Sequence, residues 1–237
     1  MENQITVFEN ATQMLATTVG MAEEICSEQV EKDIRTAFVI RHSRNIHQLA
    51  EDTLALGRCN RLGSIYLLAR PALESLFKLA VAVSNPGFAA EKVVGELLEE
   101  REKLSLWRDQ SDADLRSILD ECIRVCDDYA AELRNRYQVA GDKKWKIWQV
   151  ANEARLKSEY VKEYFSGCKH VHCMLSALVS RELGEGYLPD AIYGFTSTVT
   201  SACVLLMVYF RLPLEISDEA LAMVGKALDA KIAVSRG

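Results

Sequence analysis

At 237 residues, 49% apolar and 26% charged, the chain is long enough to bury a sizeable core and too apolar to stay disordered. Only 4 prolines and 12 glycines punctuate it, which leaves little room for strands and tight turns. A formal charge of −6 argues against a broad phosphate-tracking surface, although a local basic patch still fits.

Helical periodicity runs through the sequence and predicts an all-α fold, a single helical-bundle domain of seven to nine helices over 1–237. A weaker division sets 88–155 apart as a helical insert on a core made from the two ends. The first helix is expected from about Asn3 to Cys26, with Ile5, Phe8, Leu15, Val19 and Ala22 on its apolar side. The absence of a basic start or an apolar run before Thr18 argues against a secretory signal. The second helix is expected from about Glu28 to Leu56. It places Phe38, Val39, His42, Ile46, Leu49 and Thr53 inward, and Arg41, Arg44, Gln48 and Glu51 outward.

Leu62 to Val83 forms an almost unbroken apolar helix interrupted by Arg70 and Glu74, one turn apart. Pro71 inside it predicts a kink or a helix start near Arg70. Asn85-Pro86-Gly87 ends it. From Phe88 to Glu132 there are 13 acidic and 6 basic residues, read as two exposed amphipathic helices that break near Ser111, taken as an N-cap. The run from Lys143 to Trp148 is the one basic and aromatic cluster. It suits base stacking or a membrane surface, or, more simply, a helix edge with tryptophans packed inward.

A further helix is expected from Ser158 to Arg181. Pro189 then opens an uncharged one, Ala191 to Phe210, of membrane-spanning length. Its Thr196, Ser197, Thr198, Thr200 and Ser201 favour the buried central helix of a bundle over a span. A last helix is expected from Ser217 towards Ala233. The cysteines number 7, an odd count inside helical patterns, which suits free thiols in a reducing cytoplasm.

Four constellations carry candidate chemistry. Arg70 and Glu74 share a helix face deep in apolar sequence, where an unpaired charge costs several kcal/mol, so they form either a structural ion pair or a charged site. Ser166 and His170 repeat the one-turn spacing and suggest a nucleophile and base, although no third group to orient the imidazole is evident. Arg41 and His47 flank a basic run on the second helix. Cys122 with Cys126, and Cys168 with His172, are pairs one turn apart that would suit a Cys3His zinc site on facing helices. Buried free thiols explain the same residues, and none of the usual C-x-x-C spacings occurs.

Arg41, His42 and His47 resemble the signature of HEPN-type helical ribonucleases, an arginine and a histidine with four to six residues between them. That resemblance implies metal-independent RNA cleavage across a dimer, with His47 as acid or base and Arg41 steadying phosphate charge. Arg70 to Glu74, read with Tyr160, Tyr164, Ser166 and His170, resembles a loose bacterial family of all-helical proteins of unknown function, over roughly residues 35 to 210. That resemblance implies that Arg70, Glu74, Ser166 and His170 meet in space, and that some members have links to defence genes. Pro71 and His172 depart from its pattern.

Two functional classes stand open. One is a non-catalytic cytoplasmic interaction protein that self-associates. The other is a HEPN-like endoribonuclease or toxin-like effector acting through Arg41 and His47, with Arg70, Glu74, Ser166 and His170 as the alternative centre. Partners would be a second copy, another protein or RNA. No cofactor is required, zinc being the one candidate.

Overall fold

The structure is a computed structural model that describes residues 2–27, 33–59, 65–140, 144–164 and 188–212. All regular structure among these is helical: α1 (Glu2–Cys26), α2 (Ile34–Arg58), α3 (Ile65–Ser84), α4 (Phe88–Asp109), α5 (Ala113–Tyr137), α6 (Ile147–Glu153), the short α7 (Lys157–Glu159) and α8 (Leu188–Phe210). A π-helical turn, Tyr160–Tyr164, follows α7 directly. The all-α bundle anticipated from the periodicity is the fold. The expected helix after Arg211 lies outside the described residues, as does most of the one expected to reach Arg181.

Four long helices, α1, α2, α3 and α8, make the core. Each contributes one apolar stripe, as the spacing of its side chains dictates. Phe8, Leu15, Val19 and Ala22 of α1 meet Phe195, Val199, Ala202, Cys203 and Leu206 of α8, and the Phe8 and Phe195 rings lie 5.3 Å apart. Against α2 and α8 packs α3, whose Ala72, Leu73, Leu76, Phe77, Leu79 and Val81 are all buried. Buried hydroxyls on these helices bond back to their own backbones, as Thr12 does to the Phe8 carbonyl at 2.8 Å and Ser43 to the Val39 carbonyl at 2.9 Å. By length and composition Ile192–Phe210 would suffice to cross a membrane. In the bundle it presents one face to α1, α2 and α3, while Val204 and Val208 look outward.

Pro71 neither starts nor breaks α3, which begins six residues earlier, at Ile65. The hydrogen bond that proline cannot give is the one to Leu67, an exposed residue, so the freed carbonyl lies where it is least costly. The second helix starts at Ile34 because Asp33 caps it: its carboxylate accepts from the backbone N–H groups of Arg35 and Thr36.

Helices α4 and α5 form an antiparallel hairpin and pack chiefly on each other. Only the first two turns of α4 are buried, through Phe88, Ala89, Ala90, Val94 and Gly95, where the hairpin meets α2 and α3. The cap of α5 is Asp112, whose side chain accepts from the Leu115 N–H at 3.0 Å, whereas Ser111 bonds back to the Trp107 carbonyl at 2.7 Å. Ser111 was the expected cap. The aspartate one residue on takes the place because its side chain reaches the open N–H while the serine is spent closing α4.

Candidate functional site

The charges in α3 do have a partner from far along the chain. Glu74 Oε1 accepts from Arg70 Nε at 3.3 Å and from the Tyr164 hydroxyl at 2.9 Å. The Arg70 guanidinium lies over the Tyr164 ring, 5.2 Å from its centroid. Tyr164 is buried, while Arg70 and Glu74 are half-buried at the rim. The π-helical turn brings this about. Its wide winding stacks Tyr160 on Tyr164, ring centroids 5.0 Å apart and nearly parallel, and aims the second phenol at α3 beside Phe77.

The chemistry open to this cluster is limited. Burial, and then the bond to Glu74 and its charge, push the Tyr164 phenol well above the ordinary tyrosine range. It therefore serves as a hydrogen-bond donor at neutral pH. One Glu74 oxygen already takes two donors. The arrangement clasps α3 to the segment after α7. Ser166 and His170, the other half of the expected centre, lie outside the described residues, as does Glu163's side chain.

Arg41 and His47 are both on α2. Arg41 is exposed, and His47 is half-buried with Nε2 3.7 Å from Glu51 Oε1. The neighbouring basic residues are matched by α1: Arg44 bonds Glu23, and Arg58 meets Glu9 at 3.2 Å. His42 turns inward from the same run, its ring 4.3 Å from that of Phe38, and its Nδ1 is buried with no hydrogen-bond partner among the described residues. Burial first, then the charges of Lys78, Arg41 and Lys92, lower its pKa to about 3. It is a neutral imidazole at the junction of α2, α3 and α4.

Of the candidate metal ligands, Cys122 is exposed and Cys126 half-buried, both on the outlying α5, while Cys168 and His172 lie outside the described residues. Among the described residues no group of three or more His, Cys, Asp or Glu side chains is placed to hold a metal. The tryptophans expected to pack inward divide. Trp145 packs edge-on against Phe88 and donates to Glu91 at 3.0 Å, whereas Trp148 is exposed.

A second polar junction was not anticipated. Arg35, in the first turn of α2, donates through Nε to the Ala82 carbonyl and through Nη2 to the Val83 carbonyl, each at 2.7 Å, and lies over the Tyr209 ring. Thr36 bonds the Asp33 carboxylate at 2.6 Å and meets the Tyr209 hydroxyl at 3.0 Å, while the Tyr137 hydroxyl accepts from the Ile34 N–H at 3.1 Å. The ends of α3, α5 and α8 thus converge on the start of α2. A signal was present in the sequence. An arginine opposes the dipole of its own helix at the N-terminus, so it suits the C-terminus of another.

No curated protein and no solved structure matches this chain. A family model does, and the stretch it matches includes Arg70, Glu74 and Tyr164, in accord with the likeness to an all-helical family of unknown function. That match runs over residues 36–186, well over half of the sequence, and the chain belongs to this family of unknown function, DUF5677.

Proposed function

We propose that this chain is a non-catalytic helical interaction protein that associates with further copies of itself. The observation that supports this best is the α4–α5 hairpin. It stands off the core and keeps Leu106, Trp107, Leu115, Ile118, Val125 and Tyr129 exposed. Apolar side chains gathered on one projecting element, on a chain with an ample core elsewhere, are suited to covering by a protein partner. The Arg70–Glu74–Tyr164 cluster fits the same reading, because its polar groups are engaged with one another and tie helices together.

The reading is tested by sedimentation velocity on the purified full chain over a hundredfold or so range of concentration. An s-value that rises with concentration is expected. A single monomeric species throughout would remove the reading.

A further inference from the structure

We propose that the junction of α2, α3 and α4 binds a small phosphate dianion, free or as a phosphomonoester, between the ammonium groups of Lys78 and Lys92 and the imidazole of His42. The site goes beyond the interaction reading and does not depend on it. Lys78 of α3 and Lys92 of α4 are far more buried than lysines usually are, with 20% and 12% of their side chains exposed. Both approach the same carboxylate, Glu96, at 3.5 and 3.4 Å. The two ammoniums therefore share one negative charge. Arg41, exposed on α2, makes no ion pair with a described residue, and its charge acts on His42 together with those of Lys78 and Lys92. Other acids nearby are engaged elsewhere. Glu74, one turn before Lys78, accepts from Arg70 and Tyr164, and Glu91 accepts from Trp145. Three cations thus meet one acid, and charge held this far from water is costly until it is matched.

His42 tells what would match it. Its ring is held against Phe38, and its Nδ1 is buried. The other ring nitrogen, Nε2, also lacks a partner among the described residues, yet it is not sealed in as Nδ1 is, so it reaches the solvent edge of the junction. The proton of a neutral imidazole stays where it can be solvated, here on Nε2. The two ammoniums, the guanidinium and Nε2–H are then all donors, with Glu96 as the acceptor among them. A phosphate dianion brings acceptors alone, an oxygen for each donor, and a charge that equals the surplus. A carboxylate would supply half of that charge.

The test is titration calorimetry on the full chain at fixed ionic strength, with inorganic phosphate and glycerol 3-phosphate as probes and acetate for comparison. Saturable binding of phosphate at one site per chain is expected, at least about tenfold tighter than acetate. The tighter of the two phosphates identifies the source, free ion or ester. Lys92→Met should weaken binding at least about tenfold, whereas Lys103→Met, which removes the same charge from an exposed position farther along α4, should leave it unchanged. An apolar side chain in place of a half-buried lysine is well tolerated, so the melting temperature should hold. Glu96→Gln should tighten binding, since no carboxylate then competes for the ammoniums. Because His42 is already neutral there, glycerol 3-phosphate should bind more tightly as the pH rises through its second ionisation at about 6. In a long-range proton–nitrogen spectrum the Nε2 resonance of His42, identified by its loss in His42→Phe, should move as phosphate is added. No saturable binding of either phosphate, or binding that Lys92→Met leaves unchanged, overturns the site. Binding that weakens as the pH rises through about 6 would require a charged imidazole and overturns it as well.

Discussion

The hydroxyl of Tyr164 donates to the Glu74 carboxylate at 2.9 Å across 90 residues of sequence. That bond fastens the π-helical turn after α7 to the middle of α3, and it is charge-assisted. Tyr164→Phe should cost about 1.5 kcal/mol of stability in urea denaturation, the usual size for a hydrogen bond to a charged group. Glu74→Gln in the same background should add less than it does alone. Additive costs in that double-mutant cycle would show that the two side chains do not cooperate.

Arg35 should matter more than its surface position suggests. It satisfies two carbonyls at the end of α3 that have no helical donor. Arg35→Ala should lower stability by about 2–3 kcal/mol. Arg35→Lys should recover only part of this, since an ammonium cannot span both carbonyls with a planar fork. Full recovery by lysine would mean that charge alone was at work.

His42 gives the fold an acid-sensitive point. Its folded pKa of about 3 lies below the ordinary 6.5, so the unfolded chain binds the proton first. Its contribution is complete above about pH 6.5 and is lost as the pH falls towards 3, at up to about 1.4 kcal/mol per pH unit. The groups facing it are Lys78, Lys92 and Arg41, with Glu96 paired to both lysines at 3.5 and 3.4 Å. Urea melts at pH 7.5 and 5 should therefore differ less for His42→Phe than for the wild type. An equal difference would show that other groups set the acid response.

Incubated with RNA in EDTA, the protein should leave the substrate intact. Cleavage lost in His47→Ala and retained in His170→Ala would instead establish the ribonuclease at Arg41 and His47 and end the non-catalytic reading.

Thiol labelling should separate two classes of cysteine. Cys203 is buried beside the Thr18 hydroxyl, 3.3 Å away, and burial pushes its pKa up to about 11. Native protein should yield maleimide adducts on Cys59 and Cys122 within minutes and none on Cys203 until denaturant is added. Prompt modification of Cys203 would show that α1 and α8 open readily.

The core was legible in the sequence because burial follows the 3.6-residue period. The inward faces of α1 and α2 are close to those read from spacing alone. The ion pair in α3 was legible too, since charge in apolar sequence has to be compensated, and Tyr164 proved to be one of its partners. What could not be read depended on tertiary contact. Pro71 pointed to a kink or a helix start near Arg70, yet α3 begins at Ile65 and continues through it. Arg35 at the start of α2 hinted at a distant helix end, but that it would be the end of α3 depended on the fold. On α5 an exposed amphipathic helix was legible, but which of its apolar residues would be covered depended on how the hairpin closed: Leu119 is buried, while Leu115 and Ile118 are exposed.

The hairpin of α4 and α5 meets the remainder of the molecule chiefly through its buried base around Phe88, the Tyr137 contact and the polar contacts of Glu91, Glu96 and Glu102 along α4. Such an element is expected to open as a unit: its amides should exchange with solvent deuterium through openings that leave α1, α2, α3 and α8 protected. A second chain laid along it would then slow that exchange selectively, so the protection of one arm becomes a gauge of assembly.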